Sequence, residues 1–197
     1  DVLVETVKGF TLSEKELLAR IAFEPFPVFS TQNDEKKTCL LLIGHLGNQE
    51  LIAKCLPFMT NLSVKIPYRK IKPYWVEKWV NDSRSQFGAE LFPAERPAYS
   101  LRNDSNPFLL ALAADQAANP SKSYWVSFLG REATFFKGPE KWANWLDCPV
   151  VYADVTRPRR GFYEIKFEII SDTPSILKPS ELTEKYARLL EESIRRD

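Results

Sequence analysis

Apolar and polar positions along this chain fall into short blocks whose period switches between that of a helix and that of a strand. Ser13-Glu14-Lys15-Glu16 has the S-x-x-E form of a capping box, and the spacing predicts a helix running on through ELLARIAF (16–23). A polar, charged loop follows from Asn33 to Lys37. TCLLLIG (38–44) is a continuous apolar run bounded by turn signals, the pattern of a strand buried on both faces. QELIAKCLPFM then places Leu51, Ile52 and Cys55 at helical spacing, with Pro57 limiting the helix. SVKIPYR (63–69) reads as a strand. Pro73 suits the first turn of a helix over YWVEKWVNDSRSQFG, which Gly88 ends.

PFLLALAAD is a further strand finishing at Asp115. SYWVSFL and ATFF form a hairpin about Gly130-Arg131, and PEKWANWLD is a short helix. CPVVYADVT and GFYEIKFEII flank the turn RPRRG as two strands, and SELTEKYARLLEESIRR closes as an amphipathic helix. Strand-helix alternation early and hairpins late predict an α/β fold with a mixed, mostly parallel central sheet flanked by helices. In such sheets, sites gather beyond the carboxyl ends of the strands. His45, Arg69 and Asp115 each come just after an expected strand.

Composition adds mainly exclusions. A chain of 197 residues suits one domain with a sizeable core, 44% hydrophobic and 27% charged. A net charge of +1 argues against a nucleic-acid binder driven by its overall field. Cys39, Cys55 and Cys148 are odd in number and widely spaced, which fits buried thiols in a reducing compartment rather than a disulfide scaffold or a zinc site. Cys39 lies six residues before His45 on an extended segment, roughly 20 Å of rise, too far for a Cys-His nucleophilic pair. No run approaches the roughly 18 apolar residues that span a bilayer. The chain opens with Asp1 and closes on a charged helical pattern, as a piece of a longer protein would.

His45 is the single histidine. Glu50 follows five positions later, about 140° away on an ideal helix, so the two do not share a helical face. The spacing fits His45 ahead of the helix, a turn at Gly47-Asn48, Asn48 as N-cap, and Glu50 in the first turn, where the helix dipole favours a carboxylate. Folded back, Glu50 would accept the proton on one imidazole nitrogen. The other nitrogen would be free to take a proton from a hydroxyl. A histidine packed in a turn has the same spacing.

GHLGNQE (44–50) resembles the H-x4-D/E signature of the lysophospholipid acyltransferase superfamily, and specifically the GHxGNWE form of bacterial lipid A biosynthesis (late) acyltransferases. Three further blocks are similar in the same order: PYRKIKPYWVEKWVNDSRSQFGAEL to the family's YRPxxNPxLD…R…G segment, LALAADQ to its strand ending in Asp-Gln, and VSFLGREATFFKGPEKWANWLDCPVV to its FFGxxAxxxxGPxxLAxxxxxPVV block. The resemblance implies a glycerolphosphate-acyltransferase-like fold and an O-acyltransferase with no metal or cofactor. It implies a fatty acyl chain carried from acyl-acyl carrier protein to a hydroxyl of a lipid A precursor. By it, His45 is the base, Glu50 its orienting acid, and Arg69, Asp115 and Asn48 contact substrate. It also implies work at the cytoplasmic face of the inner membrane, from a single acyltransferase domain over residues 1–197. The same chemistry on another glycolipid or phospholipid acceptor stays open, as does a non-catalytic lipid-binding relative.

Departures from the family pattern are specific. Gln49 stands where the family usually has Trp, and the stretch from Leu91 to Asp115 is shorter than usual. The N-terminal membrane helix and a late W-x-HRRW-like segment are not in this sequence. Among other candidates, Arg69 sits with Lys65, Lys70 and Lys72 in a basic strand end and can fork onto a phosphate, a carboxylate or a developing oxyanion. Asp115 ends an apolar run and needs a partner there, such as Arg69, a substrate group or the next turn. Arg157, Arg159 and Arg160 belong to a hairpin turn by default, or to contact with anionic headgroups or an acidic carrier protein. Trp75 and Trp79, and Trp142 and Trp145, are paired at helical spacing, expected to pack in the core; exposed, either pair would suit a membrane interface.

Overall fold

A seven-stranded sheet runs through the middle of the computed structural model. Its strands are β1 (Ile21–Phe23), β2 (Cys39–Ile43), β3 (Ser63–Tyr68), β4 (Glu90–Pro93), β5 (Phe108–Ala113), β8 (Val150–Arg159) and β9 (Phe162–Ser171). Across the sheet they lie in the order β1-β9-β8-β2-β5-β3-β4. The structure describes residues 2–27, 37–95, 101, 104, 106–116 and 119–196. Of the polar loop expected at Asn33–Lys37, only Lys37 is among them. Five strands, β8 to β4 in that order, are mutually parallel; β9 is antiparallel to β8, and β1 is parallel to β9. The expected mixed, mostly parallel sheet is what forms.

Two cores result, one on each face. Cys39, Leu41 and Ile43 of β2 point to the face covered by α3 (Gln49–Met59), and Leu40 and Leu42 point to the other. That second face carries α5 (Gly138–Leu146), α6 (Glu181–Arg196) and a separate hairpin of β6 (Ser123–Phe128) and β7 (Arg131–Phe136). Every residue of β2 is buried, so the strand needs the unbroken apolar run that its sequence has. Glu140, buried in the first turn of α5, joins this layer: its carboxylate accepts from the Tyr124 hydroxyl, the Ser180 N–H and the Thr183 hydroxyl at 3.0–3.2 Å.

Several elements depart from the sequence reading. The Ser13 capping box is present with both hydrogen bonds, but its helix α2 (Glu14–Leu18) stops early, and Ile21–Phe23 pairs as β1 along β9. Edge pairing to a ten-residue strand outweighs the local helical pattern. α1 (Val2–Gly9) was not foreseen, and neither was the short strand β4. α3 passes through Pro57 and ends at Met59. On α4 (Tyr74–Arg84), Trp75 and Trp79 are exposed, at 69% and 48%, not packed in the core. On α5, Trp142 does pack, against Phe92 and Trp145, whereas Trp145 is more than half exposed.

Candidate active site

Parallel pairing of β2 and β5 aligns Ile43 with Ala113. Each chain leaves its strand there, and two residues further on lie His45 and Asp115. Strand register therefore brings together two residues 70 positions apart in sequence. The Asp115 carboxylate holds His45 at two points: one oxygen accepts the His45 backbone N–H at 2.6 Å, and the other pairs with imidazole Nδ1. With Nδ1 committed to a carboxylate, the neutral ring keeps its proton there and carries its lone pair on Nε2. The amide nitrogen of Gln116 approaches that Nε2 at 3.3 Å. The imidazole is 41% exposed and the Asp115 side chain only 16%, so the acid is sheltered while the ring remains reachable.

The loop that presents the ring is braced on every side. Gly47 has φ of +72°, a left-handed conformation, and a Cβ there would also lie 2.8 Å from the Tyr163 ring. Gly44 needs its missing side chain for a different reason: an added Cβ would collide with the Leu190 side chain of α6. Gln49, the residue that departs from the family tryptophan, donates its amide to Gly44 O and Leu46 O, the carbonyls on either side of His45. Tyr186 of α6 donates to Ile43 O at 3.2 Å, and burial pushes its phenol far above the usual tyrosine range, which keeps it a neutral donor.

The remaining expected site residues are placed differently from one another. Asn48 is the N-cap, as the spacing suggested: its side-chain oxygen accepts from the N–H groups of Glu50 and Leu51 at 3.2 Å. It is fully buried, so it shapes the loop and is not a surface for substrate. Glu50 does lie in the first turn of α3. Both its oxygens, however, are taken by Arg84 of α4, at 2.7 Å from Nε and 2.5 Å from Nη2. The carboxylate on the imidazole is that of Asp115. Arg69, just past β3, is exposed and makes no hydrogen bond or ion pair with the described residues, so it does not meet Asp115.

Lys65, grouped with Arg69 in the sequence, is instead buried and paired with Glu90 and Asp104. Arg157 braces Glu5 of α1, and Arg159 stacks on the Phe162 ring, so both serve the hairpin and its neighbours. The residues missed were Gln116 and Arg84. Gln116 adjoins Asp115 at the same strand end, a signal that was available; Arg84 is 34 residues from Glu50, and nothing local links them. Among the described residues, no three metal-ligating side chains converge.

The family model for bacterial lipid A biosynthesis acyltransferases matches residues 1–197. The chain belongs to this family. It is accordingly an acyltransferase, with an acyl donor and a lipid acceptor. No curated protein matches the chain significantly. No helix among the described residues is long and apolar enough to cross a membrane.

Proposed function

We propose that this acyltransferase moves a fatty acyl chain from the thioester of acyl-acyl carrier protein to a hydroxyl of a lipid A precursor, with His45 as general base. The observation that carries the proposal is the two-point hold of Asp115 on His45, which leaves the lone pair on Nε2 of a partly exposed ring, faced there by the Gln116 amide. The acceptor hydroxyl takes the place of the Gln116 amide at Nε2 and gives up its proton as its oxygen bonds to the thioester carbon. The tetrahedral intermediate collapses, the carbon–sulfur bond breaks, and the imidazolium gives the proton to the departing thiolate, which leaves as the thiol. Asp115 stabilises the imidazolium in between, as the acid of a triad does for its histidine.

Arg69 supplies an exposed guanidinium at the same edge of the sheet, suited to a phosphate of the acceptor or to the charge developing on the thioester oxygen. Glu50, which spacing alone would pair with His45, works here through Arg84 and fixes α3 against α4. A lipid acceptor and a protein-borne donor fit a reaction at the cytoplasmic face of the inner membrane.

The test is His45→Ala in the full chain, assayed for acyl transfer from acyl-acyl carrier protein to a lipid A precursor. Product mass spectrometry would run beside glycolipid and phospholipid acceptors. Loss of turnover at an unchanged melting temperature supports the mechanism. Unchanged turnover sinks it, and acylation of another acceptor alone corrects the substrate while leaving the chemistry.

A further inference from the structure

Beyond β3, the chain presents a surface of which the chemistry proposed at His45 uses only Arg69. Arg69, Lys70 and Lys72 are exposed and make no ion pair with the described residues. Tyr74, at 74% exposure, and Trp75 come next at the start of α4, with Trp79 one turn on. α1 extends the patch. Its Glu5 and Thr6 face inward, to Arg157, Tyr163 and Asn48, while Val4 and Val7 stand outward, about half exposed. Phe10, just after α1, stacks on Trp79 at 4.0 Å between ring centroids, so the two helices share one surface.

We infer that this face, formed by Arg69–Lys72, the aromatic residues of α4 and the valines of α1, docks the enzyme on an anionic lipid bilayer. The three exposed cations complement anionic headgroups. Tyrosine and tryptophan place an apolar ring with a polar tip where headgroups meet acyl chains. A purely acidic protein partner would account for the lysines but leave Trp75, Val4 and Val7 in water.

Position supports the same occupant. β2 and β3 are both parallel neighbours of β5, so the strand end that leads to His45 and the one that leads to Arg69 open on the same edge of the sheet. The Glu50–Arg84 pair ties α4 to the helix that follows His45. A bilayer seated on the patch would therefore bring a lipid acceptor alongside the imidazole. The inference rests on the acyl-transfer reading only in taking that acceptor to be a lipid.

The test is co-sedimentation of the full chain with phosphatidylglycerol-containing vesicles and with pure phosphatidylcholine vesicles. The wild type is compared with a K70E/K72E variant and a Y74A/W75A variant; all four side chains are exposed, so the fold should survive, as melting temperature will report. The expected result is binding to the anionic vesicles alone. Each variant should bind at least about tenfold more weakly, the first because it reverses two charges near an anionic surface and the second because it removes two interfacial rings, while acyl transfer to a detergent-dispersed acceptor is retained. Binding that ignores lipid charge, or variants that bind as the wild type does, would overturn the inference. So would a K70E/K72E variant that keeps the vesicles and loses only acyl carrier protein. A wild type that docks but transfers no acyl group would refute the proposed reaction and leave the docking face standing.

Discussion

Replacing Asp115 by Asn keeps the side chain's shape and removes its charge, and its two contacts with His45 respond differently. One carboxylate oxygen accepts the His45 backbone N–H at 2.6 Å, and that donor still needs an acceptor. The single carbonyl oxygen of an asparagine therefore stays on the backbone, which turns the amide NH2 towards Nδ1. An NH2 group donates, so Nδ1 must become the acceptor and the ring proton moves to Nε2. The atom that should take the substrate proton is then already protonated, and no carboxylate remains to stabilise an imidazolium. General-base catalysis contributes on the order of 10²–10⁴ in rate, and most of that should go. The assay is turnover of acyl transfer at saturating donor, with melting temperature as control. Glu50→Gln, measured beside it, should cost far less in turnover, because Glu50 is bonded to Arg84 and not to the imidazole. A drop under about fivefold for D115N, or a larger one for E50Q, would refute the assignment and favour the His45–Glu50 dyad that the spacing alone suggests.

Other predictions concern the loop and the core. Gly44→Ala should destabilise the fold by about 1–3 kcal/mol in chemical denaturation, because the new methyl overlaps the buried Leu190 side chain and α6 or the His45 loop must yield. Gln49→Ala should lower turnover more than it lowers the melting temperature, because it frees the carbonyls flanking His45; Gln49→Trp, restoring the family residue, tests whether one indole N–H can replace the amide. The thiols give a pH signature: burial pushes Cys55 and Cys148 up to about 12 and raises Cys39 as well, against 9.0 when unfolded. Their contribution is thus complete below pH 9 and fades as pH climbs towards 12, so equilibrium unfolding should show stability falling across that window. All three should resist a thiol reagent at neutral pH until the protein unfolds.

The central strands were legible because each is an apolar run longer than any turn, and their burial on both faces leaves no other use for it. β1 and β4, at three and four residues, form only because a longer neighbour offers them an edge, and no local pattern records that. The site was half legible for the same reason. His45, Glu50 and Asp115 could be picked out as strand-end and cap positions. Which carboxylate meets the imidazole depends on β2 and β5 being neighbours in register, a fact about strand order that a single sequence does not carry. The exposed tryptophans show the limit of spacing from the other side, since a helical stripe of aromatics looks the same whether it faces a core or a surface.

The central claim is that Asp115 fixes the proton of His45 on Nδ1 and leaves Nε2 as the base. Because the chain has one histidine, ¹⁵N-histidine labelling yields a single imidazole, whose tautomer is read directly from its nitrogen shifts. The account predicts a protonated, hydrogen-bonded Nδ1 with a lone-pair Nε2 in the neutral wild type, the opposite tautomer in D115N, and no change in E50Q. A neutral wild-type ring carrying its proton on Nε2, or a tautomer that switches in E50Q and not in D115N, would contradict it.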